Sequence, residues 1–293
     1  MTGASPADKL VLGAGRLCPP ATGPRPARPM DEIARALLLA AKESRVSIVD
    51  TAPNESERVL GQAWPFPSPF RVMVKTVSGA DGLDRVEARA RRSLERMGLP
   101  RGEALLVSAG AELAGAEGRA LWDRLERLKG EGLYRRIGFC ARMEDGPALI
   151  ARRFAPDIVQ VPCSLLDQRP VREGVLDALA AQGVEIHLRS VFLKGLLFAP
   201  HDHLPSHAPE VGQALSRIRR TLAEASADPM QAALGFALGR PEVSAVIVGA
   251  GSAAELRAVV AAACAPQPDL DWDALALDDP APLAGPVPIS SAA

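Results

Sequence analysis

The sequence has very little tyrosine and histidine, two residues that often transfer protons in enzymes. Its 293 residues include one tyrosine, Tyr134, and aromatic residues make up 4% of the chain. The four histidines, His187, His201, His203 and His207, all lie in the second half. The composition therefore restricts an acid–base mechanism to very few positions.

Other features that are missing exclude whole classes of protein. Lys plus Arg (34) nearly balance Asp plus Glu (35), and no basic block suggests nucleic-acid binding. No apolar run reaches the roughly 20 residues of a membrane span, and the first residues lack the order of a signal peptide. The cysteines (Cys18, Cys140, Cys163 and Cys264) have no paired spacing. This pattern predicts reduced thiols in a cytoplasmic protein.

What the chain does contain is a regular alternation of short apolar runs and longer amphipathic stretches. The predicted strands cover residues 9–14, 46–50, 71–76, 103–108, 133–139, 157–162, 184–190 and 244–250. The predicted helices cover residues 31–44, 82–98, 117–132, 171–183, 210–226 and 253–264. Eight such units favour a single-domain α/β fold, the closed (β/α)8 TIM barrel, over an open doubly wound sheet. No GxGxxG motif follows an early strand, which disfavours a Rossmann fold.

Two segments lie outside this alternation. Residues 19–29, PPATGPRPARP, form a predicted Pro-rich loop after the first strand. The end of the chain is rich in Pro and Ala and too poor in large apolar residues to pack. We therefore predict a barrel over residues 1–278 and a flexible tail over residues 279–293.

In a barrel of this kind, functional side chains lie at the C-terminal ends of the strands. These ends carry, in order, Asp50, Lys75, Ser108, Cys140, Gln160 and Arg189, followed by a glycine-containing turn at 249–252. Asp50 and Lys75 lie on neighbouring strands and can form an ion pair. Such a pair either tunes the acidity of a nearby hydroxyl or has a structural role alone.

Several of these segments resemble the aldo-keto reductase superfamily over residues 10–264. SIVDTA followed by SERVLGQAW is similar to the segment GINFFDTAxxYGxSExxLGxAL, and VMVKT to the strand that ends in the catalytic lysine. Later signatures are matched by IVQVPCSLLDQR, HLRSVFLKGLL and GFALGRPEVSAVIVGAGSAAEL. The resemblance implies a (β/α)8 barrel, a nicotinamide cofactor and hydride transfer to a carbonyl group.

The resemblance fails at two of the family's four catalytic residues, which are Asp, Tyr, Lys and His. Asp50 and Lys75 match, but the segment DTAPNESE is too short for the tyrosine, and the same count reaches Glu55. Ser108 stands where the family has histidine. Because such residues act as a unit, ordinary carbonyl reduction is not expected. A buried Glu55 acting as the acid is one alternative, and a helix N-terminus stabilised by Glu55 is the other.

By resemblance, the cofactor half of the site is better preserved. Gln160 matches a glutamine that contacts the nicotinamide amide, and Arg189 replaces a stacking tyrosine. Cys140 and Ala141 replace the family's usual Ser-Asn amide contacts. Backbone amides would hold the pyrophosphate and the adenosine phosphate, and they belong to Ser190, Val191, Phe192, Leu193, Lys194, Gly249, Ala250, Gly251 and Ser252. Glu255 would repel a 2′-phosphate, which favours NAD(H) over NADP(H). A barrel that has also lost its cofactor is the alternative.

A narrower resemblance to KidO-type bacterial proteins rests on the short DTAPNESE loop, the missing histidine and the tail. These reductase homologues link nicotinamide binding to cell-division control, and their partners are the tubulin-like division GTPase and a cell-fate sensor histidine kinase. The resemblance implies a non-catalytic regulator of cell division and cell fate. The alternative is an active NAD(P)H-dependent oxidoreductase with altered catalytic residues.

Two terminal or loop features leave alternatives open. Ala292 and Ala293 resemble the chain ends that AAA+ proteases recognise, whereas simple fraying is the other interpretation. In HDHLPSH, residues 201–207, the histidines and Asp202 could ligate a metal. A polar loop with incidental histidines is the favoured interpretation, so we predict no metal.

Overall fold

The computed structural model describes residues 5–18, 29–198 and 209–277, which form eight parallel strands closed into a barrel. The strands are β1 (Leu10–Gly13), β2 (Ile48–Asp50), β3 (Arg71–Lys75), β4 (Gly102–Val107), β5 (Tyr134–Cys140), β6 (Ile158–Pro162), β7 (Glu185–Arg189) and β8 (Val243–Gly249). Each strand pairs with the next, and β1 pairs with β8. The predicted (β/α)8 barrel is confirmed.

Helices surround the barrel in the described part of the chain. They are α1 (Met30–Glu43), α2 (Glu55–Ala63), α3 (Leu83–Met97), α4 (Ala111–Ala114), α5 (Gly118–Gly130), α6 (Pro147–Phe154), α7 (Arg169–Arg172), α8 (Val175–Ala180), α9 (Pro209–Glu224), α10 (Pro229–Leu238) and α11 (Ala253–Cys264). Asn54 caps α2 by accepting a hydrogen bond from the Ser56 amide at 2.9 Å. No helix in these ranges combines the length and hydropathy of a membrane span.

The predicted helices differ from the observed ones in two ways. The helix expected over residues 171–183 is wrong as a continuous element, because Gly174 adopts a left-handed conformation with φ of 67° and separates α7 from α8. Helices α4, α6 and α10 were not predicted. Helix α10 is buried on most sides, including Ala232, Leu234 and Phe236, and therefore lacks the amphipathic period that marks a surface helix.

Side chains alternate between the barrel interior and the surrounding helices along each strand. Outward-facing residues such as Leu12, Val49 and Leu105 join one large apolar cluster with the helices. Inward-facing residues form a second, smaller apolar cluster made of Val11, Met73, Ala104, Leu106, Cys140, Ile158 and Ala245. The polar ends of the strands therefore lie above and below an apolar layer inside the barrel.

The N-terminal end of the barrel is closed by charged side chains. Arg136 on β5 bonds to Glu103 on β4 and to Glu185 on β7. His187 Nε2 lies 2.8 Å from Glu185 Oε1, and this hydrogen bond is the main reason that the pKa of Glu185 is lowered. These contacts join three strands at the end opposite the usual functional face, and we assign them to stability.

Candidate active site

Asp50 and Lys75 form an ion pair at the C-terminal mouth of the barrel, as predicted. They are the last residues of β2 and β3, and Asp50 is 7% exposed. Burial is the largest single influence on the Lys75 pKa and would lower it. The charge of Asp50 and its hydrogen bond to Lys75 raise the pKa above the usual value instead. Lys75 is therefore an ammonium at neutral pH, and a weak proton donor.

Gln160 links this pair to a buried thiol. Its Nε2 donates to Asp50 Oδ1 at 2.9 Å, and the Sγ of Cys140 donates to its Oε1 at 3.2 Å. Burial raises the pKa of Cys140 to about 11, although the charge of Lys75 acts in the opposite direction. The ionisable neighbour of the pair is thus a thiol that stays protonated and unreactive. The sequence left open a nearby hydroxyl whose pKa the ion pair would lower, and this thiol is not such a group.

No described tyrosine or histidine lies beside the pair. Tyr134 begins β5 at the opposite end of the barrel, and its hydroxyl donates to the Ala90 carbonyl at 2.8 Å. Burial raises its pKa. Of the four histidines, the structure describes only His187, below the apolar layer. Ser108 lies exposed on the rim, where its Oγ donates to the Thr76 carbonyl at 2.9 Å.

Glu55 does not lie in an environment that suits an acid catalyst. It begins α2, in accordance with the helix N-terminus interpretation, and its side chain is 41% exposed. Arg58 pairs with its Oε1, and Arg96 lies 3.4 Å from its Oε2. A general acid of this type has to be buried and protonated, and the carboxylate of Glu55 is neither sheltered nor unpaired.

Arg189 ends β7 and makes one hydrogen bond to the residues that the structure describes. Its Nη2 donates to the Ala141 carbonyl at 3.0 Å, whereas its Nε is buried and has no partner among those residues. The chain then enters a tight turn in which Ser190 and Leu193 have left-handed backbones, with φ of 62° and 48°. The Leu193 amide donates to the Ser190 carbonyl at 2.8 Å. Such conformations cost energy in residues other than glycine and are frequent at functional sites.

The turn at 249–252, between β8 and α11, contains a polar network. Ser252 caps α11 by accepting from the Glu255 amide at 3.1 Å, and Glu255 Oε2 accepts from the Gly251 amide at 2.9 Å. Arg16 Nη1 lies 3.1 Å from the same oxygen. A Cβ on Gly251 would lie 3.0 Å from Arg16 Nε, so glycine permits this close approach.

Arg16 was missed by the sequence analysis. It lies in a short 3-10 helix after β1 (Ala14–Leu17), far in sequence from its contacts. Only the pairing of β1 with β8 brings it to the 249–252 turn. No local motif marks it, because a single arginine after an apolar strand is common in helix-flanking segments.

The structure thus places the predicted residues in two groups. Asp50, Lys75, Cys140 and Gln160 are connected directly at the mouth, and Arg189 joins them through the residue that follows Cys140. The 249–252 turn with Glu255 and Arg16 forms the second group. Nothing is described for the side chain of Lys194, the 201–207 segment or the tail with Ala292 and Ala293. No cluster of potential metal ligands occurs among the residues that are described.

A family model for the Aldo/keto reductase family matches residues 9–276. The chain belongs to the aldo/keto reductase family. A Pseudomonas aeruginosa protein classed as an aldo-keto reductase is 24% identical, with a TM-score of 0.64 over 87% of this chain and 89% of that chain. The aldo-keto reductase AKR11C1 from Bacillus halodurans, in its holo form, is 20% identical, with a TM-score of 0.72 over 91% and 90%. No curated protein matches the sequence.

These comparisons confirm the family and the barrel. At identities of 24% and 20%, the two solved structures show the fold alone. The aldo/keto reductase family generally binds nicotinamide cofactors, and membership does not decide between NAD(H) and NADP(H). In this member, the mouth carries the Asp50–Lys75 ion pair, while the described ranges place no tyrosine or imidazole beside it.

Proposed function

We propose that this aldo/keto reductase family member binds NAD(H) at the barrel mouth without reducing carbonyl groups. The observation that supports this is the Asp50–Lys75 pair without a neighbouring tyrosine or described imidazole. Hydride transfer makes an alkoxide that needs a proton as it forms. Lys75 is a poor donor, because Asp50 stabilises its charged form. The buried thiol of Cys140 is also a weak acid.

The residues present fit a nicotinamide dinucleotide in several respects. When bound, the cofactor would supply a hydride. The unpartnered Nε of Arg189 is a buried donor that a ligand can satisfy. Gln160 would orient the nicotinamide amide, amides of residues 190–194 would hold the pyrophosphate, and the 249–252 turn with Arg16 would receive the adenosine end.

Glu255 supports a preference for NAD(H) over NADP(H). Its carboxylate lies at the 249–252 turn, where it accepts from the Gly251 amide at 2.9 Å. A carboxylate there can accept hydrogen bonds from ribose hydroxyls and repels a 2′-phosphate. Arg16 pairs with it and weakens this repulsion. Because the Glu255 side chain is 46% exposed, solvent also reduces the effect.

The biological role that we propose is regulatory. By the KidO-type resemblance, the protein is a cytoplasmic regulator of bacterial cell division and cell fate, and it acts by contact with the tubulin-like division GTPase and a sensor histidine kinase. Cofactor occupancy would modulate these contacts. Recognition by an AAA+ protease through Ala292 and Ala293 would limit its lifetime.

A second candidate is an NAD(P)H-dependent oxidoreductase with altered catalytic residues. It is favoured by the retained Asp50–Lys75 pair and by Gln160, which keep the electrostatic half of the family's site in place. In this case a substrate group or a water molecule would donate the proton. Replacement of Lys75 by methionine would then abolish turnover.

One fluorescence experiment separates the two candidates. NADH fluorescence is followed while purified protein is added, and a panel of aldehydes and ketones is added afterwards. We expect enhancement that persists after the carbonyls, and weaker enhancement with NADPH. Steady loss of the signal would establish turnover and overturn the non-catalytic proposal. No enhancement with either nucleotide would overturn cofactor binding.

Two further experiments test the cofactor preference and the regulatory role. Glu255→Gln should reduce the preference for NADH over NADPH by about tenfold, which corresponds to about 1.4 kcal/mol. For the partner, light scattering reports polymerisation of the division GTPase with protein alone and with protein plus NADH. Polymerisation that is the same with and without the protein would contradict the regulatory role.

A further inference from the structure

Arg189 differs from most half-buried arginines that the structure describes; Arg240 also has no carboxylate partner there, but its guanidinium lies 4.4 Å from the centroid of the Phe236 ring. Arg89, Arg136 and Arg169 have side chains that are 17%, 24% and 21% exposed, and each pairs with at least one carboxylate. Arg189 is also half-buried. Among the described residues, however, no carboxylate lies within ion-pair distance of its guanidinium, and its Nε is buried without any partner.

The guanidinium belongs to the barrel mouth. Arg189 lies opposite Pro162 in the β6–β7 pairing. It is four residues after Glu185 and two after His187, so its side chain lies on the same face of β7 as theirs, which is the interior face. Its charge lowers the pKa values of both Lys75 and Cys140, although other influences on each are larger. Ala141, whose carbonyl accepts from Arg189, follows Cys140, which is linked through Gln160 and Asp50 to Lys75, so Arg189 and Lys75 are two cations of one connected group.

In the described part of the mouth, no ion pair balances the charge of Arg189. Asp50 belongs to the same bonded group, but both of its oxygens already have partners, Oδ2 with Lys75 and Oδ1 with Gln160 at 2.9 Å. A half-buried cation without a counter-ion is unfavourable, because desolvation is not offset by an opposite charge. Among the described residues, the acceptor of the Arg189 guanidinium is a neutral carbonyl oxygen, that of Ala141.

We propose that the barrel mouth binds an oxyanion, which accepts from the Nε of Arg189 with the Lys75 ammonium close by. A guanidinium edge matches the planar geometry of a carboxylate and also binds phosphate. The ligand class is therefore a small organic acid or a phosphate-bearing compound. The proposal does not rest on the proposed cofactor site, although the cofactor would contact the same Nε, so binding is measured both with and without NADH.

The position of Arg189 favours a carboxylate over a phosphate. It lies with Lys75 and Cys140 at the end of the barrel interior, whereas the 249–252 turn, with Arg16, forms a separate group at the end of β8. A small acid at Arg189 would lie beside Cys140 and Ala141, in the group that also contains the Asp50–Lys75 pair. The mouth would then be an acid-sensing site in a barrel that has lost its reaction.

The test is isothermal titration calorimetry of the full-length protein with oxamate and with inorganic phosphate, each with and without NADH. We expect saturable binding of oxamate by the wild type. Arg189→Met should weaken it by about 10- to 100-fold, the contribution of a hydrogen bond to a charged group. The control is Arg92→Met, which removes the same charge from the exposed face of α3 and should leave binding within about twofold.

A thermal measurement gives a readout that a purely structural role of Arg189 would not change. Oxamate should raise the Tm of the wild type and of Arg92→Met, since it binds only the folded protein, and should leave that of Arg189→Met unchanged. Phosphate binding that depends on Arg189 and is lost when NADH is added would assign the oxyanion to the cofactor instead. Binding that survives Arg189→Met, or no binding of either probe by the wild type, would overturn the proposal.

Discussion

Replacing Lys75 by methionine removes the charge of the mouth pair and keeps most of the side-chain volume. It leaves the buried carboxylate of Asp50 with the amide of Gln160 as its remaining described partner. Removing one member of a buried ion pair costs about 3–5 kcal/mol of unfolding free energy. The Lys75 and Asp50 side chains are 19% and 8% exposed, so solvent reaches the pair from the mouth. We therefore expect a loss of about 3 kcal/mol, at the lower end.

The double variant Asp50→Asn, Lys75→Met separates the charge pair from packing. Asparagine keeps an oxygen that can accept from Gln160 Nε2, and no buried charge remains. We expect the double variant to lose only about 1 kcal/mol, less than Lys75→Met alone. Asp50→Asn alone should lose only about 1 kcal/mol, because the Lys75 ammonium can still reach solvent, so the coupling energy in the double-mutant cycle should be about 3 kcal/mol, as for residues in direct contact.

The assay is urea unfolding followed by circular dichroism, for all four proteins between pH 7 and pH 11. The folded-state pKa of Lys75 is raised, so the stabilisation is complete below its unfolded pKa of about 10.4. It is lost as the pH rises through the folded pKa. The difference between wild type and Lys75→Met should be constant up to about pH 9.5 and should narrow above that. Additive single losses, each below about 0.5 kcal/mol, would refute the buried pair.

Two further predictions concern packing and thiol chemistry. Gly138→Ala places a Cβ 1.9 Å from the Ile158 carbonyl oxygen inside the barrel, so it should cost about 3 kcal/mol or prevent folding. In the control Gly130→Ala, in α5, the new Cβ has no atom within 4 Å, so stability should change by less than about 1 kcal/mol. Equal melting temperatures for the two variants would contradict the strand register. A thiol reagent at pH 8 should modify exposed Cys264 quickly and Cys140 only after unfolding, since burial raises the Cys140 pKa to about 11. Mass spectrometry of the labelled native protein checks this. Early labelling of Cys140 would contradict its burial and show that solvent reaches the bottom of the mouth.

The strands and their polar ends could be predicted because each is a local pattern. An apolar run followed by Asp50 or Lys75 gives both a strand and its functional end. Helix α10 was missed because an apolar helix carries no period, and the break at Gly174 was missed because its left-handed backbone was not anticipated. Local patterns thus predicted the order of the strands and helices better than the residues at which they begin and end.

Contacts that depend on closure of the barrel could not be predicted. Gln160 and Asp50 are 110 positions apart, and Arg16 meets Glu255 only because β1 pairs with β8. The resemblance predicts that Gln160 contacts a cofactor, but it does not predict that its amide nitrogen bonds to Asp50 and its amide oxygen to Cys140. Side-chain pairing of this kind follows from register and strand tilt, which a single sequence does not specify.

The hydrogen bond between Gln160 and Asp50 sets the depth of the mouth. β2 and β6 are separated by four places in the closed ring, so they form opposite walls, and a 2.9 Å bond between their side chains crosses the barrel axis. Below this crossing lie the apolar side chains of Leu106 and Ile158. A ligand is therefore confined to the shallow space between the strand ends and the connecting segments. New specificities in this fold can arise there, by changes in those segments, without altering the apolar layer that holds the eight strands together.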